Sequence, residues 1–468
     1  MLHSSTIAAI STPPGKGGVA IIRISGPDAL AIGKRIFVPK GKRAIDERAP
    51  RTQIFGSILL DGKEIDDGLL TYFPENSSYT GEETIEISCH GGVLITKTVL
   101  ESALLAGARI AERGEFTRRA FANGRLSLTD TEAIGLLLEA QSEAQIRLTR
   151  KSSRSALEGE IEAIRGSLTS LLSSIYARID YPDEDLGDYT DEELSEGLTS
   201  VIARMDSLLS TYKTGKAVSE GVRTVIVGKP NVGKSTLYNL LVGYDAAIVT
   251  NIPGTTRDVL ERSVPLGDVM LRLYDTAGIR NGEVDAVEAI GIERSHEALK
   301  SAELILALFS LSDEADGEDE GILSAIADNN CPKIAVFTKS DCKKSCNGSS
   351  VFDKTRVEST FDSVITVSVK EQPIEALAML KRSVEGLFTD EKIKIGDDAI
   401  ISSARQRSAL LRAKELAKTA KAAIDSGLPQ DAASSDIELS LGAIAELDGR
   451  AVSEEVTQDI FAKFCVGK

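Results

Sequence analysis

Apolar residues along this chain recur at two different spacings, and the change between them divides it. Over residues 1–120, short β-like apolar runs alternate with Gly and Pro turns, and Leu94 to Ala106 is the one helical stretch. That pattern predicts an α+β domain. From Leu126 the spacing becomes helical. Leu157, Ile161, Ile164, Leu168, Leu171, Leu172, Ile175 and Ile179 fall on one face, and Asp180 to Asp185 ends the run. Thr129-x-x-Glu132 and Thr190-x-x-Glu193 both have the form of capping boxes ahead of apolar runs. Strands and helices alternate over 218–382, with Asp313 to Gly321 as an acidic surface loop. Helices resume over 383–468, marked by Leu410, Leu411, Leu416 and Ile424 and then by Ile437, Leu441, Ile444 and Leu447. The helical stretches 121–217 and 383–468 must each cover an apolar face. Packing them together makes 218–382 an insertion in one helical domain. The expected fold is multidomain α/β with an inserted domain and an α+β domain in front. No internal repeat or long low-complexity segment interrupts it.

The inserted region carries the chemistry. Gly228-Lys229-Pro230-Asn231-Val232-Gly233-Lys234-Ser235 fits the phosphate-loop pattern G-x-x-x-x-G-K-[ST], between a β-rich run at Thr224 to Val227 and a helical run from Ser235 to Leu241. In that setting backbone amides wrap phosphates and Lys234 reaches the β- and γ-oxygens. Ser235 can ligate Mg²⁺, and the helix start adds positive potential. The nucleotide-binding set here is Asn231, Val232, Gly233, Lys234, Ser235 and Thr236. Asp275, Thr276, Ala277 and Gly278 follow the apolar run from Val269 to Tyr274, where a carboxylate can hold the Mg²⁺ shell and the Gly278 amide can reach the γ-phosphate. Between these boxes lie Thr250, Asn251, Ile252, Pro253, Gly254, Thr255 and Thr256, with Thr256 the second hydroxyl for Mg²⁺. After Lys333 to Phe337 come Thr338, Lys339, Ser340 and Asp341. Asp341 can accept both donors of a guanine edge, and the Lys339 stem can cover the ring. The usual first residue of this box is Asn, and Thr338 can form one hydrogen bond without copying a carboxamide. Ser368, Val369 and Lys370 resemble the last box, whose amide meets the base oxygen. Four ordered boxes predict a GTPase domain.

Ras-type enzymes place Gln after the Asp-x-x-Gly box to orient water; here Ile279 occupies that position. No arginine finger is evident in cis. Asn231 and the loop from Thr250 to Thr255 instead gather neutral oxygens, which suit a monovalent cation. The expected K⁺ ligands are Asn231, Thr250, Ile252 and Thr255.

Composition narrows the class further. With 42% hydrophobic and 27% charged residues in 468, the chain is expected to be globular, with about three domains. No run of 18 apolar residues predicts a membrane span, and no secretory leader is evident. Cys89, Cys331, Cys342, Cys346 and Cys465 are odd in number and irregularly spaced, which points to a reducing cytoplasm and away from a disulfide framework. A net charge of −17 repels nucleic acid at long range. An RNA partner would need local basic stripes, such as Arg147, Arg150, Lys151 and Arg154, or Arg405, Arg407, Arg412, Lys414, Lys418 and Lys421. Either stripe taken alone reads first as a solvated helix face, and aromatic residues, at 4%, add no stacking platform.

Outside the GTPase boxes, three blocks and the last residues carry a family likeness. They are Thr6 to Gly26, Tyr79-Thr80-Gly81-Glu82-Glu83 through Cys89-His90-Gly91-Gly92, Gly114-Glu115-Phe116-Thr117 with Ala120-Phe121, and Phe464-Cys465-Val466-Gly467-Lys468. Over residues 5–468 the chain resembles the MnmE (TrmE) family of tRNA-modification GTPases. Its departures are Thr338 and Arg125, where the family more often has Lys. The resemblance implies GTP-driven addition of an aminomethyl-type group to carbon 5 of the wobble uridine of certain tRNAs. It also implies a flavin-containing partner of the MnmG (GidA) type, arranged as a heterotetramer, and homodimerisation through the N-terminal domain. The implied cofactors are Mg²⁺, K⁺ and 5-formyltetrahydrofolate or a related one-carbon tetrahydrofolate. The folate positions fall on Arg23, Glu82, Arg125 and Lys468. Glu82 suits the donor edge of a pterin, and Arg23 or Lys468 suits its carboxylated tail. Matching Val287 to Arg294 to the family places the catalytic glutamate at Glu288.

Other readings stay open. Arg23 also fits a surface salt bridge, Glu288 a first-turn glutamate favouring the helix dipole, and Cys465 a small buried thiol. A ribosome-assembly GTPase shares the nucleotide boxes but would need an RNA-binding module, and no GXXG loop in a basic setting follows the GTPase region. A folate-dependent transferase with GTP as regulator keeps the same sites.

Overall fold

The computed structural model describes residues 5–41, 44–47, 49–180, 190–246, 261–274, 298–313, 316–341, 359–451, 458, 460–462, 464 and 466–467, with backbone alone at 244–246 and 261. The chain forms two compact units, Met1–Leu138 with Asp448–Lys468, and Glu139–Leu447. Among the described residues no helix is long and apolar enough to cross a membrane.

The first unit runs β1 (Ile7–Ile10), β2 (Val19–Ser25), α1 (Ala29–Ile36), β3 (Phe37–Pro39), β4 (Gln53–Leu60), β5 (Lys63–Phe73), β6 (Thr84–His90), α2 (Val93–Leu105), β7 (Arg109–Ile110), α3 (Glu115–Ala122) and α4 (Leu128–Glu139). Its strands form one sheet, ordered β3-β4-β5-β6-β2-β1-β7. Pairing is antiparallel except between β1 and β7. Alternation along β2 sorts the two faces. Ile22 and Ile24 join Ile85, Ile87, Ile32 and Val99 in the main core under α1 and α2. Arg23 and Ser25 take the opposite face, where Ile7, Ala9, Ala111 and Phe116 pack with Tyr79. Periodicity found α2 and missed α1 and α3. Each of those helices is eight residues long, too short to show a repeating stripe.

The second unit runs α5 (Glu143–Leu148), α6 (Lys151–Asp180), α7 (Asp191–Ser210), α8 (Tyr212–Ser219), β8 (Val222–Val227), α9 (Lys234–Ala246), β9 (Glu261–Leu266), β10 (Val269–Tyr274), β11 (Leu304–Ser310), α10 (Gly317–Ala327), β12 (Lys333–Thr338), β13 (Ser363–Thr366), α11 (Pro373–Phe388), α12 (Ala404–Asp425) and α13 (Gln430–Asp448). The stripe on α6 buries Leu157, Ile161, Ile164, Leu168, Leu171 and Ile175 against α7, α12 and α13 in one core. Helices from both sides of the P-loop region therefore share a core, and the α/β region between them is an insertion. The chain returns closely. A Cβ on Gly215 of α8 would lie 2.2 Å from the Ile401 carbonyl oxygen, so only glycine allows this approach. Ser219 Oγ then donates to Ser402 O at 2.9 Å. The inserted sheet has the order β13-β12-β11-β8-β10-β9 and is parallel except for the β9–β10 pair. Every residue of β11 is buried, as expected for a strand with both faces covered.

Several local expectations change. Thr190 and Glu193 do exchange capping-box bonds, at 3.2 and 2.8 Å. At α4 the cap is Ser127 with Asp130, bonded at 3.0 and 3.1 Å, while Thr129 is buried. Thr129 is already inside the helix, so its hydroxyl is not at the start, where the free amides are. Ile179, expected on the buried stripe, is exposed. The first basic stripe is not one helix face, because α5 ends at Leu148 and α6 begins at Lys151. Asp313 to Gly321 is not simply a surface loop, since α10 starts within it and Asp319 is buried.

A buried ion network crosses the second face of the first sheet. Glu115, 1% exposed, accepts from Arg109 Nη1 at 2.8 Å, from the Glu112 amide at 2.8 Å and from Arg119 Nη2 at 3.0 Å. Burial alone would raise the Glu115 pKa, but the bonds from Arg109, the Glu112 amide and Arg119 outweigh it and hold the carboxyl at about 2. Because the folded value lies below the unfolded one, the ionised carboxylate stabilises the fold above the ordinary glutamate range. That contribution fades as pH falls toward about 2. Glu115→Gln removes one of the two carboxylates that neutralise buried Arg119, leaving Glu82, and is expected to cost about 3 kcal/mol at neutral pH. The deficit should shrink as pH falls toward about 2. Chemical unfolding of the full chain at pH 7 and pH 3 measures both effects, and a variant as stable as the parent at pH 7 would contradict them.

Candidate functional site

A parallel sheet offers ligands the carboxyl ends of its strands, where neighbouring connections diverge. Here β8 lies between β10 and β11, and the phosphate loop leaves its end. The loop needs unusual backbone: Gly228 has φ 156°, Asn231 φ 59° and Gly233 φ 107°. At Gly228 a Cβ would stand 2.8 Å from Leu308 O, so glycine is required by both conformation and space. Val232 is buried and anchors the loop, while Asn231, Ser235 and Thr236 are exposed. Lys234 Nζ donates to Gly228 O at 2.6 Å and Lys229 O at 2.8 Å. Burial lowers its pKa.

The guanine box meets this loop directly. Thr338 is 2% exposed, and its Oγ1 lies 2.7 Å from Val232 O and 3.2 Å from Phe309 O. The single hydroxyl thus ties the end of β12 to the phosphate loop. Asp341 is exposed, and its Oδ1 accepts from Ser368 Oγ at 2.5 Å, which orients the carboxylate. Lys339 has φ 59° and reaches Asp313 Oδ2 at 3.3 Å, and the Ser340 amide bonds Val367 O at 3.4 Å. Ser368 and Val369 are buried and Lys370 is exposed. The structure therefore brings together three of the predicted segments: 231–236, 338–341 and 368–370. Thr250 to Thr256, Asp275 to Gly278 and Glu288 lie outside the described residues. Sequence reasoning missed one feature of this region. Lys229 Nζ bonds Asp319 Oδ2 at 2.8 Å and Asp316 Oδ2 at 3.0 Å. These bonds, that from Asp319 first, raise the Lys229 pKa to about 12. The capping box Asp316-x-x-Asp319 ahead of Ile322 and Leu323 was the available clue.

In the first unit, Arg23 sits across from Glu86 in the β2–β6 register and donates to it at 2.8 Å. Its guanidinium lies 5.5 Å from the Tyr79 ring centroid and 5.6 Å from that of Phe116. Arg23 does form the salt bridge considered above, and its side chain remains 19% exposed. Glu82 Oε2 accepts from Arg119 Nη1 at 2.9 Å and Ser25 Oγ at 3.1 Å. Arg125 is exposed beside the same turn, its Cγ 3.1 Å from where a Gly81 Cβ would be. Lys468 lies outside the described residues, but Ser11 Oγ holds Gly467 O at 3.0 Å beside β1. Arg23 and Ser25 share one face of β2, and the Ser25 bond brings Glu82 to it. Cys89 is buried, and burial pushes its thiol up to about 11, far from a reactive thiolate. Cys465 lies outside the described residues.

The six candidate RNA-contacting residues of α12 all have partners. Arg405 donates to Glu446 O at 2.7 Å and Lys414 to Asp206 at 2.8 Å. Lys418 pairs with Glu415 at 2.9 Å, Lys421 with Asp425 at 2.5 Å and Arg412 with Glu446, while Arg407 lies over the Tyr212 ring. That favours the solvated helix face.

Comparison with known proteins agrees at both ends of the chain. A family model described as the GTP-binding protein TrmE N-terminus matches residues 6–125, and one described as the MnmE helical domain matches residues 128–465. The tRNA modification GTPase MnmE of Carboxydothermus hydrogenoformans is 37% identical over 100% of both chains. The protein of the same name from Clostridioides difficile is 37% identical, again over 100% of both. Among solved structures, an Era variant from Aquifex aeolicus bound to GDP and AlF4− is 22% identical, covering 41% of this chain and 65% of that chain. The TM-score between the two is 0.24. With nucleotide boxes gathered at one sheet edge and full-length relatives of one name, this chain belongs to the MnmE (TrmE) family of tRNA modification GTPases.

Proposed function

We propose that this GTP hydrolase of tRNA modification adds an aminomethyl-type group to carbon 5 of the wobble uridine, using a one-carbon folate and acting with a flavoprotein partner. The observation that carries the nucleotide half is the meeting of 231–236, 338–341 and 368–370 at the carboxyl edge of one sheet. Asp341, oriented by Ser368, accepts from the guanine edge. Lys234 exchanges its loop carbonyls for phosphate oxygens. Ser235 and Thr256 are the hydroxyls for Mg²⁺, and Ser235 presents a hard oxygen at an exposed helix start, which suits that ion. When bound, Mg²⁺ neutralises charge on the β- and γ-oxygens. Glu288 holds the attacking water through a bridging water.

The K⁺ site is proposed at Asn231, Thr250, Ile252 and Thr255. The fit rests on Asn231, a neutral carboxamide exposed on the phosphate loop. The nearby ammonium groups are engaged elsewhere, Lys234 on carbonyls and Lys229 on carboxylates. Folate is assigned to Arg23, Glu82, Arg125 and Lys468. Glu82 would take the pterin edge as a carboxylate already fixed by Arg119 and Ser25. Residues 1–120 would also form the homodimer contact, with 121–217 and 383–468 as the helical domain and 218–382 as the GTPase domain.

Wobble-nucleoside analysis of tRNA from cells lacking the protein tests the function. The C5-substituted uridine is expected to disappear, and unchanged tRNA with defective ribosomes would favour a ribosome-assembly role. Steady-state hydrolysis is expected to be fast in K⁺ and slow in Na⁺, with Asn231→Lys erasing the difference. Equal parental rates in the two salts would remove the K⁺ assignment. Thr338→Val keeps the shape but loses the bond to Val232 O. GTP affinity should fall by about 1 kcal/mol, roughly fivefold, with the preference over ATP retained. Titration calorimetry reads this, and unchanged affinity would show that the Thr338 bond does not hold the loop.

A further inference from the structure

Lys229, the second residue of the phosphate loop, sends its side chain away from the loop and into a carboxylate pair. The side chain is 10% exposed, and Nζ lies 2.8 Å from Asp319 and 3.0 Å from Asp316. Asp319 is 2% exposed, and its Oδ1 is buried with no hydrogen-bond partner among the described residues. Among the described residues Lys229 is its close cation, and a buried carboxylate in that state depends on such a partner. Both acids are also fixed by the start of α10. Asp316 Oδ1 accepts the amides of Glu318 at 3.0 Å and Asp319 at 3.2 Å, and Asp319 Oδ2 accepts the Asp316 amide at 3.3 Å. They cannot swing away when the cation is lost. At its other end Lys229 offers its carbonyl to Lys234 Nζ at 2.8 Å. One residue therefore joins the helix by its side chain and the phosphate-binding lysine by its backbone.

We propose that Lys229 is a positioning residue for GTP, masking Asp316 and Asp319 so that the phosphate loop stays receptive to a polyanion. The proposal rests on the loop taking GTP, and adds a residue outside the 231–236 set. The reasoning is electrostatic. Two fixed carboxylates beside a loop that must receive a triphosphate repel it, and a partly buried charge is poorly screened by salt. The Lys229 ammonium offsets that repulsion without touching the nucleotide.

The test measures release of a fluorescent GDP analogue by stopped flow, together with KM and kcat for GTP. Lys229→Met should release the analogue about tenfold faster, the scale expected of a residue acting through its neighbours, with the loss in KM rather than kcat. Lys229→Arg should restore the parental rate. Adding Asp319→Asn to Lys229→Met removes the orphaned buried charge and should recover most of the loss. A merely structural role would lower thermal stability without this rescue. If Lys229→Met fails to fold, the double variant, balanced in charge, must still release the analogue near the parental rate. Parental release and KM in Lys229→Met, or fast release that Asp319→Asn does not correct, overturns the proposal. Failure of the parent itself to bind the analogue would instead count against the nucleotide reading.

Discussion

The nucleotide site depends on a backbone constraint, because a chain that wraps phosphate with its amides must turn through conformations most residues avoid. Gly228, Asn231 and Gly233 all have positive φ within six residues. Such a turn is held only if its surroundings fix it. Val232 is sunk into the core, and its carbonyl is taken by Thr338. The carbonyls of Gly228 and Lys229 are taken by Lys234. The residue at which the chain departs from the usual guanine box therefore bonds the phosphate loop from the end of β12.

The first unit solves a different problem. Its second sheet face carries charge that a half-covered sheet would ordinarily leave in water. Arg119, 2% exposed, is compensated by Glu115 and Glu82, and Glu115 in turn by Arg109. Removing one member of such a network costs more than the network adds, because the remaining charge cannot regain its water. Glu82 is thus part of this scaffold, next in sequence to the Gly81 turn that Arg125 lies beside. The Glu82 carboxylate is fixed in direction by the bonds from Arg119 and Ser25.

A net charge of −17 makes the handling of basic residues informative. The second predicted stripe lies on one helix, yet its cations lie against Glu446, Asp206, Glu415, Asp425 and the Tyr212 ring. Exposed pairs of this kind contribute little stability each, but they remove the free positive field an RNA backbone would seek.

By itself the sequence determined what depends on local order. The phosphate loop was legible because its residues are consecutive and sit between a strand and a helix. The apolar stripe on α6 was legible because a 30-residue helix repeats its period many times. The box at 338–341 was legible despite its altered first residue, since Asp341 keeps its spacing. Tertiary structure alone decided what depends on residues far apart meeting. Arg109 and Glu115 are close in sequence, but Ser25 and Arg119 reach Glu82 only through the tertiary fold. Lys229 finds Asp319 across 90 positions, and Thr338 finds Val232 across 106. The short helices α1 and α3 owe their existence to the sheet they cover, so local pattern could not announce them. Periodicity reports which side of an element is apolar. Partner choice among charged and polar groups is set by where the completed sheet and bundle leave low-dielectric space to be neutralised.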